Sequence, residues 1–321
     1  MLKCAVIIST LNEERTIGNL IDSLKEDEYQ NKVIIVVDGG STDRTVKIAE
    51  ERGAIVLKET GPKSLPNSRN QGAKFAITRY NADVLCFLDG DLIISPNFVK
   101  KGMEHFNKDK DVVAVRTLAG AVRKNILMKI YSPIKDVSKL VNEKSTAPPP
   151  PAHFYRREVF ERCGGFDILG FREDWVFYNK VREFANQHNK KIILEKSCIR
   201  YGQFNSFTEF LKQQEWYGRT FIPYLKHVGI KEGIRDALVL KSLIYVISLV
   251  FLLLFFFQSN IIFLILGMPF FVEICLICYK SLKYKSVYIL PNLFLSAMGN
   301  LAFLFGILKY LGGNKELSRG V

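Results

Sequence analysis

The sequence predicts an α/β protein, a mostly parallel sheet with helices on both faces, followed by C-terminal transmembrane helices. Two patterns carry this expectation. Short apolar runs alternate with helical periodicities through residues 4–89, and such alternation means crossover connections between parallel strands. From about residue 238 the chain becomes almost wholly apolar, in runs long enough to span a bilayer.

The elements follow in order. CAVIIST reads as a strand, and NEERTIGNLIDSLKE as a helix that Asn12 can cap, with Ile17, Leu20, Ile21 and Leu24 on one face. VIIVVD is a second strand. TDRTVKIAEERG is a helix closed by Gly53, AIVLKE a third strand, SRNQGAKFAITRY a helix, and DVLCFLD a fourth strand. STAPPPPAHF, residues 145–154, cannot be an interior helix or central strand, because successive prolines lack backbone donors. It reads as an extended loop, either a flap over an acceptor or a linker. Gly164 and Gly165 suit a tight turn.

The expected domains are residues 1–204 as the α/β domain, 205–236 as amphipathic interface helices and 237–311 as a transmembrane region, with spans at 237–257, 261–278 and 287–310. Trp216, Tyr217, Phe221 and Tyr224 are placed at a membrane interface, and Glu273 falls inside the second span, where a carboxylate is costly. MLKCAVIIST runs straight into a strand without a leader. Lys and Arg exceed Asp and Glu over residues 180–241, and Lys280, Lys283 and Lys285 fill a short loop. Together these put the N-terminus and the α/β domain in the cytoplasm, in a multi-pass membrane protein. The net charge of +13 then points to anionic lipid headgroups rather than nucleic acid. Cys4 and Cys86 lie in apolar runs as reduced core residues, and Cys275 and Cys278 have no second pair to make a metal site.

Acids collect where the strands end: Asp38 after the second, Asp89 and Asp91 after the fourth. Sheets of this kind bind ligands at the carboxyl ends of their strands. Two acids spaced D-x-D at a turn can hold one divalent cation through oxygen, which suits Mg or Mn. Acids also begin turns, so the spacing by itself is a weak signal.

It does not stand by itself. STLNEE, VVDGGSTDRT, SRNQGA, FLDGD and GGFDILGFREDW follow one another in fixed order, and the set resembles the family-2 glycosyltransferases, inverting enzymes with the GT-A fold. The resemblance covers residues 3 to about 180. It implies that Thr10, Asn12 and Glu13 line the nucleotide pocket and that Asp38 contacts base or ribose. Here Gly39 stands where the family more often has a second Asp. It also implies Arg69 near the donor diphosphate, Asp89 toward the ribose, Asp91 toward the metal and Asp174 as catalytic base. Glu173 beside Asp174 is then a like charge able to raise its basicity, though the pair also suits the first turn of a helix. Trp175 and His153 are candidates for the acceptor side.

Processive synthases such as cellulose synthase carry Gln-x-x-Arg-Trp. Here Glu215 replaces that arginine, which speaks against processivity, and Arg219 is left as a candidate contact to acceptor or diphosphate.

The resemblance therefore implies transfer of a sugar from a UDP- or GDP-sugar, with Mn or Mg, to a hydroxyl of a lipid-linked saccharide or surface-glycan precursor. The alternative is a polyprenyl phosphate sugar synthase, whose anionic acceptor needs no base. A non-catalytic relative would have lost Asp91 or Asp174, and a nucleotidyltransferase would carry a Gly-rich basic first loop where STLNEERT stands. A homo-oligomer is allowed.

Overall fold

The computed structural model describes residues 1–121, 152–202, 206–230 and 289–315, with a few isolated positions between them. Its elements run β1 Cys4–Thr10, α1 Ile17–Glu26, β2 Lys32–Asp38, α2 Thr45–Glu51, β3 Ile55–Lys58, α3 Leu65–Tyr80, β4 Val84–Asp89, β5 Ile93–Ile94, α4 Phe98–Lys108 and β6 Val112–Ala121. Then come β7 Ala152–Arg156, α5 Arg157–Arg162, α6 Glu173–Gln187, β8 Lys191–Gly202, α7 Phe207–Val228 and α8 Ile289–Leu311. The chain divides into two units: Met1–Val122 with Asp136–Gln203, and Phe204–Gly320 with Arg123–Lys135.

In the first unit the strands make one sheet in the order β3-β2-β1-β4-β7-β6-β8-β5. The half that precedes the site is parallel as expected: β1 pairs with β2 and β4, and β2 with β3, all in one direction. Beyond β4 the sheet is mixed, since β7 runs antiparallel to both β4 and β6. The central strand β1 is buried along its whole length, which its continuous apolar run requires of a strand covered on both faces. Alternate side chains feed two cores. Cys4, Val6 and Ile8 pack with Ile17, Leu20, Ile21 and Leu24 of α1 and with Phe98 and Met103 of α4. Ala5 and Ile7 pack with Ala73 and Ala76 of α3 and with Phe177 and Val181 of α6.

Several boundaries depart from the sequence reading, each for a local reason. Helix α1 starts at Ile17 rather than near Asn12, because Asn12 sits at φ 54° with its side chain committed to the next loop. Helix α3 starts early, where the Ser64 hydroxyl accepts from the Asn67 N–H and Pro66 suits a first turn. The chain becomes a strand at Ala152, so His153 and Phe154 belong to β7 and not to the proline-rich loop. Residue 152 is where backbone donors return. Helix α4, just after the D-x-D turn, is capped from afar: the Asp27 carboxylate accepts from the N–H groups of Val99 (2.7 Å) and Lys100 (3.1 Å). Cys4 and Cys86 are buried and unbridged, and burial pushes the Cys4 thiol up.

In the second unit, α7 and α8 lie backbone against backbone. A Cβ on Gly218 would come within 1.7 Å of the Phe303 carbonyl oxygen, and one on Gly306 within 1.9 Å of the Glu215 carbonyl oxygen. Lys309 pairs with Glu215 at 2.8 Å, and the Phe221 and Phe303 rings meet at 5.8 Å. This corrects the interfacial reading of α7. Trp216, Phe221 and Tyr224 are buried within the protein rather than presented to a membrane.

The multi-pass membrane reading is also overturned. No helix among the described residues is long and apolar enough to cross a membrane. The third expected span, 287–310, falls on α8, whose apolar run is broken by Gly299, Asn300 and Gly306 and closed by Lys309. The runs 237–257 and 261–278, with Glu273, lie outside the described residues.

Candidate active site

The residues singled out in the first unit come together where β1, β2 and β4 end. Register explains why. Thr10 of β1 is level with Asp38 of β2, and Ser9 with Asp89 of β4, so three strands deliver their last side chains at one height. Gly90 lets β4 turn tightly over β1. Its N–H donates to the Ser9 carbonyl at 3.0 Å, and a Cβ there would meet Thr10 Oγ1 at 2.7 Å. Thr10 Oγ1 is buried there without a hydrogen-bond partner among the described residues.

The loops after β1 and β2 are laced together. Asn12 Oδ1 accepts from the Thr42 N–H (2.8 Å), the Asn12 N–H donates to Ser41 Oγ (2.9 Å), and the Glu13 N–H donates to Thr45 Oγ1 (2.7 Å). Asp38 is buried and turned onto its own loop, accepting from the N–H groups of Gly40 (3.0 Å) and Ser41 (3.1 Å). With Gly39 following, this carboxylate shapes the loop that the resemblance expects it to serve as a ligand contact.

Arg69, on the second turn of α3, is the centre of the cluster. One terminal nitrogen lies 2.9 Å from Asp89 Oδ1 and the other 2.9 Å from Glu173 Oε1, with the guanidinium 5.3 Å from the Phe166 ring centre. Burial works against its charge, but Asp89, Glu173 and Asp174 outweigh burial and drive its pKa upward. One cation cannot balance three carboxylates. The excess falls on Glu173, where burial first and Asp174 second raise the pKa to about 8 against the pull of Arg69.

Glu173 and Asp174 open α6, and the half-buried Asp174 accepts from the Trp175 N–H at 2.8 Å. The helix N-terminus favours negative charge there. The turn before it is held by a residue that the sequence reading passed over. Asn70 Nδ2 donates to the Phe166 carbonyl (2.8 Å) and Asn70 Oδ1 accepts from the Phe166 N–H (2.9 Å), while Gly164 and Gly165 make the expected turn at φ 76° and 69°. The available signal was its place beside Arg69 in SRNQGA.

His153 is buried on β7 with Nδ1 2.7 Å from Thr117 Oγ1, a core residue rather than a wall of an acceptor cleft. Arg219 is buried on α7 and belongs to the second unit. Trp175 stays partly exposed, edge-on to Tyr178 with ring centres 5.8 Å apart. For a cation, the D-x-D turn offers oxygen donors from Asp89 and Asp91, both partly exposed. Among the described residues no group of three or more His, Cys, Asp or Glu side chains could hold a metal ion.

Residues 5–164 match the model of Glycosyl transferase family 2. That part of the chain is a family-2 glycosyltransferase domain. An uncharacterized protein of Methanocaldococcus jannaschii is 34% identical over 96 residues, 30% of this chain and 38% of that one. The poly(ribitol-phosphate) beta-N-acetylglucosaminyltransferase TarS of Staphylococcus aureus is 23% identical over 254 residues, 76% of this chain and 44% of TarS. The chain thus spans less than half the length of either relative. The fold also resembles the mannosyltransferase PcManGT of Pyrobaculum calidifontis, solved with GDP-Man and Mn2+, at a TM-score of 0.55 and 14% identity, over 98% of this chain and 88% of that one.

Proposed function

We propose that the protein is an inverting glycosyltransferase that moves a sugar from a UDP- or GDP-sugar to a hydroxyl of a saccharide or surface-glycan precursor, with Asp174 as base. The observation that carries this is the Arg69 bridge. It ties the D-x-D turn after β4 to the Glu173–Asp174 pair at the start of α6, segments far apart in sequence. A donor diphosphate at the turn and an acceptor hydroxyl at Asp174 would then face one another across the anomeric carbon.

In the reaction the acceptor hydroxyl gives its proton to the Asp174 carboxylate as its oxygen attacks the anomeric carbon. The bond to the diphosphate oxygen breaks with its electron pair, leaving the nucleoside diphosphate and an inverted centre. Arg69 is already shared by two carboxylates, so its part is to hold Asp89 and Glu173 in place rather than to clasp the diphosphate. Asp91, with Asp89, would hold Mn or Mg, since oxygen ligands at a turn suit those ions, and the cation would supply neutralisation of the leaving diphosphate.

The test is donor turnover and transfer by the purified full chain with a panel of UDP- and GDP-sugars, with Mn, Mg or EDTA. Asp174→Asn should lower kcat by roughly 10²–10⁴-fold, the range of general base catalysis. Asp91→Ala and EDTA should abolish turnover. Transfer to polyprenyl phosphate with Asp174→Asn fully active would overturn the base assignment.

A further inference from the structure

Beside Asp174 the structure sets four side chains in a row. The Arg116 guanidinium carbon lies 4.6 Å from the Tyr178 ring centre, the Tyr178 ring 5.8 Å from that of Trp175, and the Trp175 ring 5.9 Å from the Arg172 guanidinium carbon. Cations flank aromatic rings at both ends. Arg116, Arg172 and Trp175 are partly exposed, while Tyr178 is buried. The row joins β6 to the first turns of α6, and Trp175 directly follows Asp174. A second observation ties Arg116 to the same place. The hydroxyl of Tyr155 is buried without a hydrogen-bond partner among the described residues, and Asp174, Arg69, Tyr178 and Arg116 all act electrostatically on it.

We propose that this row is the acceptor subsite and that it selects an acceptor sugar or polyol carrying an anionic group, phosphate or carboxylate, near the hydroxyl that is glycosylated. The inference rests on the glycosyltransferase reading above and names its acceptor class. Each part of the row has a matching part of such a molecule. A pyranose or polyol chain lays its C–H face on the Trp175 ring, as apolar surface does on an aromatic face. The planar guanidinium fork matches the two oxygens of a phosphate or carboxylate. Asp174, adjoining, faces the hydroxyl. Two arginines at the ends let the anion lie on either side of the stacked ring.

The donor offers a different anion, its diphosphate, but Arg116 is badly placed for it. In the sheet order β6 is separated from β4 by β7, on the side away from β1 and β2. Burial lowers the pKa of Arg116, against the pull of Tyr178 and Tyr155.

The test binds glucose 6-phosphate, glucuronate and glucose to the full-length protein saturated with Mn2+ and UDP or GDP, by calorimetry. It also follows transfer to each from UDP-glucose, UDP-GlcNAc and GDP-mannose by mass spectrometry. The anionic sugars should bind about 10- to 100-fold tighter than glucose, the range for hydrogen bonds to a charged group. The phosphate and carboxylate arms show which anion the row prefers. Arg116→Gln and Arg172→Gln should each erode that preference, and Arg116→Lys, which keeps the charge, should restore part of it. Arg172 precedes α6 in a turn, so its variant reads the subsite even if the Arg116 variant fails to fold. Equal binding of the three sugars, no binding of the anionic ones, or a preference that survives both Gln substitutions overturns the proposal. So does an Arg116→Gln effect confined to donor affinity. The underlying reading fails separately, when the wild type neither binds nor hydrolyses any nucleotide sugar.

Discussion

Arg69 and Glu173 form a buried ion pair at 2.9 Å, and the same guanidinium holds Asp89 at 2.9 Å. The arginine on α3 thereby fixes the distance between the end of β4 and the start of α6. Removing it leaves Asp89 and Glu173 without their shared donor. Arg69→Met should cost about 3–5 kcal/mol of stability, the penalty for stripping one partner from a buried pair. Chemical denaturation of the wild type and variant checks this. Glu173→Gln, which keeps an oxygen to accept from Arg69 and strands no charge, should cost much less. Equal losses for the two would show that the bridge does not organise the site.

The Glu173 carboxyl gives a pH signature. Its pKa is raised from the ordinary 4.5 to about 8 by burial and by Asp174, so the folded state resists deprotonating it more than the unfolded chain does. The stabilising contribution is complete below pH 4.5 and is lost as pH rises through about 8. Glu173→Gln is neutral throughout. Melting temperatures from pH 4.5 to 9 should show the wild type falling relative to this variant across that window. A constant difference would rule out the raised pKa.

Asn70 satisfies both backbone groups of Phe166. Asn70→Ala orphans an N–H and a C=O next to the turn that leads to Asp174, at about 1–3 kcal/mol for each group left without water. Asn70→Asp keeps the acceptor and loses the donor, so its loss should be intermediate. Because the turn sets the entry to α6, kcat should fall in the same order. Thermal melting and steady-state rates of the three proteins test the ranking.

In the second unit, α7 and α8 approach closely at Gly218 and Gly306. Gly218→Ala would put a methyl 1.7 Å from the Phe303 carbonyl oxygen, and backbone has nowhere to yield. Overpacking of this kind costs roughly 1–3 kcal/mol or more. Gly312→Ala is the control, because a Cβ there meets nothing closer than 3.4 Å. Limited proteolysis within residues 204–320 should increase for the first variant and not for the second.

Much of the first unit was legible in the sequence because its signals are local and periodic. β1 and β4 are continuous apolar runs, α1 repeats its apolar residues on one face, and the acids at positions 38, 89 and 91 sit where those runs stop. Local pattern misled where a side chain answered to a distant partner. Asn12 looks like a helix cap, yet its carboxamide accepts from Thr42 across the β2 loop. Trp216, Phe221 and Tyr224 make an amphipathic stripe, yet burial within the protein takes up their apolar surface. The apolar run at 287–310 has the length of a span, and length does not show that its glycines close onto a partner helix.

Local pattern is enough for the alternating α/β order, the parallel half-sheet and the placing of Asp38, Asp89, Asp91 and the Glu173–Asp174 pair at element ends. Tertiary structure alone decided that Arg69 joins Asp89 to Glu173, that Asn70 pins the Phe166 turn, and that Arg116 reaches the row beside Asp174. The physical reason is range. Hydrophobic periodicity is written within a dozen residues, whereas an ion pair or a stacked guanidinium depends on which strands the chain lays side by side.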